Sequence, residues 1–281
     1  MGVAHAKQRP EVAGRREQTR ARGASRIRVR SGSMTVGDTD RFRSAVGAAR
    51  QEIDRRTFGS TQQFLAVHEV EADEHGQPRV ANVFPDPNDP ARFWVFFSLK
   101  GEKYFWALSL GAGSPLQLYA TWIEAGTSVE FTIHSKNIDP DELSNRVGVK
   151  ATKAVRKGEQ RRQRAPNGKE TLSPPSKGNM WSFKLESAPV PAELRLASLL
   201  DKLEPFAERI AALPAECRRT ISIAYYGYRS SMGGLNFAPD MLRRVANLGA
   251  DLDVDLYARG PIYPRRTSGD RGCGRVSTLP G

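Results

Sequence analysis

Residues 128–143 read SVEFTIHSKNIDPDEL, and this stretch decides the fold. Val129, Phe131 and Ile133 alternate with Glu130, Thr132 and His134, the period-two pattern of a strand with one buried face. Asp139, Pro140, Asp141 and Glu142 then supply a capping carboxylate, a proline at the first helical position, and acids near the positive helix end. A strand thus passes directly into a short helix, which Gly148 ends.

The same alternation of period continues downstream. A basic, proline-containing loop runs through Lys177, and Trp181, Phe183 and Leu185 alternate as a strand. Glu193 to Leu213 is the longest predicted helix, with Leu196, Leu199, Leu200, Leu203 and Ile210 on its apolar face. Thr220 to Tyr228 reads as a strand, Gly233-Gly234 as a turn, and Leu235 to Phe237 as a short strand. A helix from Asp240 to Gly249 and a strand from Asp251 to Tyr257 complete the region. Helices returning onto a sheet in this order predict a ferredoxin-like α+β layer.

Upstream, strands dominate. Asp40 is placed to cap a helix reaching Arg56, with Phe42, Val46, Ala49 and Ile53 at helical spacing. Strands follow at Phe64–Val70, Arg79–Phe84, Phe93–Leu99, Tyr104–Leu110 and Leu116–Glu124. The short turns between them, including Asp73–Gly76 and Lys100–Glu102, predict an antiparallel meander. The fold class is therefore α+β, a leading helix and β-meander followed by the ferredoxin-like region.

The order of motifs in the second region resembles the family called domain of unknown function 4279. The resemblance covers roughly 128–257 and rests on Ile138-Asp139-Pro140-Asp141-Glu142-Leu143, Val147-Gly148-Val149, Lys157-Gly158 and Trp181 opening a strand. The leucines of the long helix with Pro205, then Leu235, Phe237, Leu242, Ala246, Leu248 and Gly249, and Leu252 to Tyr257, continue it. Ala151-Thr152 departs from the pattern, where a Pro-Thr pair is expected. The resemblance implies a bacterial, cytoplasmic setting and an immunity or partner-binding role, with little chemistry attached.

The net charge of +12 sits at the ends of the chain. Residues 1–33 carry about +7 and residues 258–281 about +4, leaving a nearly neutral middle. Both ends are rich in Arg, Gly and Ser without apolar periodicity and read as disordered tails. The first is an upstream extension before Met34 or a functionless tail, or a basic arm for nucleic acid or an acidic surface, or an Arg-rich presequence. Between them the sequence divides into a helix-plus-sheet region at 34–127 and the family-like region at 128–257. No apolar run approaches the ~20 residues of a membrane span, and two cysteines make no disulfide framework. An intracellular, cytoplasmic protein is expected, with no membrane partner.

Aromatic residues are the strongest functional signal. Phe93, Trp94, Phe96, Phe97, Trp106 and Trp122 crowd the first region, and a strand apolar on both faces is either covered on both or keeps one face for a partner. Packing of the two regions against each other is the plainer expectation. Trp94, Phe96 and Trp106, with Tyr225, Tyr226, Tyr228 and Arg229, are the candidate partner-binding residues, because Trp, Tyr and Arg anchor protein interfaces. The second aromatic group, beside the basic stretch 150–177 of about +7, also suits single-stranded nucleic acid.

Catalytic signals are sparse. Asp251, Asp253 and Asp255 share one face of a strand and are candidate Mg²⁺ or Ca²⁺ ligands, although alternation with Leu252, Val254 and Leu256 is also that of a solvated strand. His68 and His134 stand near Glu69 and Glu130, which leaves room for a carboxylate–histidine base. Gly111-Ala112-Gly113-Ser114 leads into Pro115 and a strand, so it reads as a hairpin loop and not a phosphate cradle. No cofactor motif is present. The primary expectation is a non-enzymatic protein-binding module; the alternatives are a nucleic-acid-associated protein and an enzyme with a non-local site.

Overall fold

The computed structural model describes residues 36–262 apart from 112, 114–115, 165–167 and 186–188. The expectations for Met34, Ser114, the segment 1–33 and most of 258–281 lie outside the described residues.

Helices α1 (Val36–Arg55) and α2 (Gly59–Leu65) precede β1 (Val80–Asp86), β2 (Asp89–Ser98), β3 (Phe105–Gly111) and β4 (Gln117–Glu124). The four strands form one antiparallel sheet in the order β1-β2-β3-β4, the expected meander. Gly111 pairs with Gln117, so the glycine-rich segment joins two antiparallel strands.

The sequence reading differs at two places here. Asp40 lies inside α1 and pairs with Arg43 at 2.9 Å instead of capping the helix. The strand expected at Phe64–Val70 does not form: α2 runs through Leu65 and a turn follows at 66–67. The Glu52 carboxylate accepts the amides of Thr57 and Phe58 and holds the turn into α2, which aligns Phe64 and His68 on one side. Val70 keeps a single bridge to Leu99.

The second sheet begins at once. β5 (Gly126–Ser135), α3 (Pro140–Val147), β6 (Lys153–Val155), β7 (Arg162–Arg164), β8 (Glu170–Leu172) and β9 (Asn179–Lys184) come first. They are followed by α4 (Ala192–Leu203), α5 (Ala207–Ala211), β10 (Arg218–Tyr228), α6 (Pro239–Asn247) and β11 (Asp251–Arg259). The sheet order is β11-β10-β5-β9-β6. Its β10-β5-β9-β6 part is antiparallel throughout and, read with α3 and α4, has the ferredoxin-like split βαβ order. α6 then carries the chain to β11, which adds parallel to β10 at the edge.

α3 starts as its sequence dictates. Asp139 accepts the Asp141 amide at 2.9 Å, Pro140 follows, and Gly148 ends the helix at a left-handed φ of 90°. The long predicted helix is two helices, because Pro205 supplies no amide hydrogen and the chain passes through a 3-10 turn at Glu204–Phe206. The basic stretch 150–177 contains β6 and the β7–β8 hairpin, which its polar composition concealed. Residues 235–237 form no strand.

Helices α3 to α6 cover one face of the second sheet. Leu143, Leu196, Leu199, Leu200, Ile210 and Val245 pack with Phe131, Ile133, Trp181, Ile221 and Ile223. In the first sheet, Ala45 and Ala49 of α1 and Phe64 of α2 join Phe93, Val95, Phe97, Trp106 and Leu108. Trp94, Phe96 and Ala107 form a smaller cluster on the other face with Phe84, Phe105 and Trp122. Beside that cluster Asn82 Nδ2 donates to the Pro189 carbonyl at 3.0 Å, so the segment leading into α4 abuts it. No described helix is long and apolar enough to cross a membrane.

Tyr228 ties the two sheets together. It is fully buried within the core of the first sheet although it belongs to β10. Two glycines permit this approach. A Cβ on Gly126 would fall on the Lys103 carbonyl, and one on Gly260 would fall on the Tyr104 hydroxyl.

Candidate functional site

Strand alternation divides the second sheet into two chemically distinct faces. The face opposite the helices carries Glu130, Thr132 and His134 from β5, Thr220, Ser222 and Tyr226 from β10, and Asp251, Asp253, Asp255 and Tyr257 from β11. Ser182 of β9 lies in the same row as Thr132 and hydrogen-bonds the Glu130 carboxylate. This helix-free face is polar along most of its length and aromatic at the end nearest the first sheet.

The aromatic end is the most defined part. Tyr226 and Tyr257 are register partners on adjacent parallel strands, and their rings stack at 4.8 Å and 14°. Lys103, from the turn between β2 and β3, places Nζ 4.2 Å from the Tyr226 ring centre, and the Arg259 guanidinium lies at 5.9 Å. These are cation–π distances. Tyr257 is 40% exposed. Exposed aromatics and cations in one place can hold a partner that is apolar and acidic.

The residues singled out from sequence scatter. Trp94, Phe96 and Trp106 are buried within the first sheet's clusters, and Tyr225 and Tyr228 are buried as well. The apolar pattern on both faces of β2 thus corresponds to a strand covered on both faces. Of the tyrosines on β10, Tyr226 alone reaches the rim, and Arg229 is exposed past the strand end. Tyr257, Lys103 and Arg259 were missed. The alternation of Asp251, Asp253, Asp255 and Tyr257 contained the signal for Tyr257, whereas Lys103 is brought in by tertiary packing alone.

Asp251, Asp253 and Asp255 do share one exposed face. Among the described residues, however, no group of three His, Cys, Asp or Glu side chains comes close enough to hold a metal ion. The reason is geometric: alternate residues along a strand stand roughly 7 Å apart, too far to converge on one ion. Asp251 instead faces Arg218 at 3.4 Å.

The two candidate histidines take different places. His68 is buried, stacked on Phe64 at 4.0 Å, with Nε2 at 2.8 Å from the Tyr104 hydroxyl and Nδ1 at 3.2 Å from the Phe64 carbonyl. Burial holds its pKa below the ordinary value of 6.5, against the opposing pull of that carbonyl and Glu102. His134 lies on the open face, and desolvation together with the Arg218 charge lowers its pKa too. Cys217 is a buried core residue whose thiol is pushed up by burial. A depression of about 450 Å³ beside α3 is lined by Asp141, Ser144, Asn145, Gly148, Val149 and Lys150. Its Ser144 hydroxyl already accepts from Trp181 Nε1 at 2.9 Å and donates to the Pro140 carbonyl at 3.0 Å, so it has a structural task.

Fold and site together define an α+β protein in which a ferredoxin-like sheet, extended by one parallel strand, presents a polar face with an aromatic rim. Residues 124–259, from the end of β4 to the end of β11, match the family model described as Domain of unknown function (DUF4279), which bears out the resemblance drawn from the motif order. No curated protein and no solved structure matches the chain.

Proposed function

We propose that this protein is a non-enzymatic, cytoplasmic protein-binding module that docks a partner on the helix-free face of its second sheet, in the manner of an immunity-type protein. The observation that carries this reading is the stacked Tyr226–Tyr257 pair, flanked by Lys103 and Arg259. Tyr side chains in a half-exposed patch supply contact area at small entropic cost, and Arg is enriched at protein interfaces. Asp251, Asp253 and Asp255 on the same face would repel phosphates, which favours a protein over nucleic acid there.

The test is capture with the full chain and with Tyr257→Ala, with and without nuclease, followed by reconstitution of the purified pair. A stoichiometric protein that survives nuclease and binds the Tyr257→Ala variant at least ~10-fold more weakly supports the reading. Loss of every partner on nuclease treatment overturns it.

The β7–β8 hairpin favours a second reading. All of its strand residues are exposed, and Arg162 and Arg164 line one strand of a ribbon of the kind that can enter a nucleic-acid groove. Arg162 already faces Glu170 at 4.0 Å and Arg161 faces Glu159 at 3.4 Å, which weakens its net field. A steep fall of affinity with salt would identify this mode.

A further inference from the structure

The edge of the second sheet offers a docking surface of a different kind. β11 is the terminal strand, nine residues long, and among the described residues it pairs with β10 alone. The Arg229 amide donates to the Arg259 carbonyl at 2.8 Å, so Arg259 turns its peptide groups toward β10. In a parallel ladder alternate residues do the same, so Leu252, Val254, Leu256 and Ala258 direct their amides and carbonyls outward, to the free edge.

We propose that this edge pairs with the same edge of a second copy of the chain, antiparallel about a two-fold axis through Leu256. The outward groups of Leu256 meet their own counterparts in this register, and Val254 meets Ala258 of the other copy. These are the hydrogen-bonded positions of an antiparallel ladder. Between them Asp253 stands opposite Arg259 of the other copy, and Asp255 opposite Tyr257, at non-hydrogen-bonded positions where Cα atoms approach to about 4.5 Å.

Charge disfavours axes toward the start of β11, and burial of Leu256 against its own counterpart separates this axis from one through Tyr257, which would set Asp255 opposite Arg259 and Leu256 opposite Ala258. Shifting the axis to Asp255 sets two Asp255 carboxylates against each other, and shifting it to Val254 sets Asp253 against Asp255. The three aspartates thus act as register guards that penalise most edge pairings, as charged edge residues do, and the single cation Arg259 releases one of them. The exposed Leu256, which no helix covers, is then buried on the axis against its counterpart. The pairing joins two five-stranded sheets in one plane. It also brings both Tyr226–Tyr257 rims to one side, so the face proposed for partner binding becomes bivalent. The dimer does not depend on that partner and is measured without it.

The test is sedimentation velocity of the full chain at about 100 µM, a concentration suited to a small edge interface, with circular dichroism to verify folding. The wild type is expected to dimerise. Asp253→Arg and Arg259→Asp are each expected to be folded monomers, because each sets like charges opposite one another, and the double swap is expected to restore the dimer. A monomeric wild type, or a dimer untouched by both single swaps, overturns the proposal; failure of the double swap to restore association overturns the register.

Discussion

His68 Nε2 and the Tyr104 hydroxyl lie 2.8 Å apart in the seam where Tyr228 of the second sheet enters the core of the first. The imidazole is stacked on Phe64 and meets Tyr104 and Tyr228 edge-on. A charge here has little water to solvate it.

Stability is expected to fall as pH drops below about 6.5. His68 and His134 both have lowered values in the folded state, so the unfolded chain binds more protons in this range, and ΔG of unfolding falls with falling pH. The loss begins near the unfolded value of 6.5 and is complete below the folded values. Urea unfolding at pH 7.5, 6.5 and 5.5 measures the slope, and His68→Gln is expected to reduce it. A slope unchanged by that substitution would show that His68 is not the group titrating.

Gly126→Ala is expected to cost about 2–4 kcal/mol, because the new methyl has no space against the Lys103 backbone carbonyl. Backbone on both sides leaves no flexible side chain to move aside. Denaturant midpoints of wild type and variant at constant m-value give the difference.

Glu52→Gln is expected to lower stability by about 1–2 kcal/mol at neutral pH. Burial raises the Glu52 pKa, but hydrogen bonds from Thr57 and Phe58 outweigh it and hold the carboxyl below its ordinary 4.5. The stabilisation is present above pH 4.5 and is lost as pH falls through the lowered folded value. The wild-type and variant stabilities therefore converge in acid, which paired melts at pH 7 and pH 3 would display.

Trp181→Ala is expected to destabilise by about 3–5 kcal/mol, since the indole is fully buried between α3 and the sheet. Trp181→Phe keeps most of the packing and loses the bond to Ser144, so about 1 kcal/mol is expected to go. Thermal unfolding of the two variants separates the contributions.

Asp139→Ala removes the cap that accepts the Asp141 amide, and with it one carboxylate facing Arg156 at 3.2 Å. A loss of about 1 kcal/mol is expected, most of it from the cap because the ion pair is exposed. Asp139→Asn should recover most of the difference.

What could be read without coordinates was local. Strand alternation at Val129–Ile133, the Asp139–Pro140 helix start, the Gly148 stop and the meander from Val80 to Glu124 each depend on residues close together in the chain, and the structure bears them out. The misreadings arose where a side-chain contact, a proline or a polar composition overrode the apolar pattern. Glu52 capped the amides of Thr57 and Phe58 ahead of α2, whose end at Leu65 lies inside an expected strand; Pro205 divided a periodic helix; and β6 to β8 formed within a polar stretch that carries no apolar pattern. The α+β class with helices on one face followed from the order of elements, but the split βαβ unit that forms uses β6, which the sequence pattern does not show, and not the strand expected at 235–237. Which aromatics are exposed was decided by tertiary structure alone. Tyr226 and Tyr228 lie on the same face of one strand, yet Tyr228 is buried and Tyr226 lies at the rim, because the first sheet ends between them. Periodicity assigns a face to a side chain; the packing of a second sheet against that face determines whether water or protein meets it.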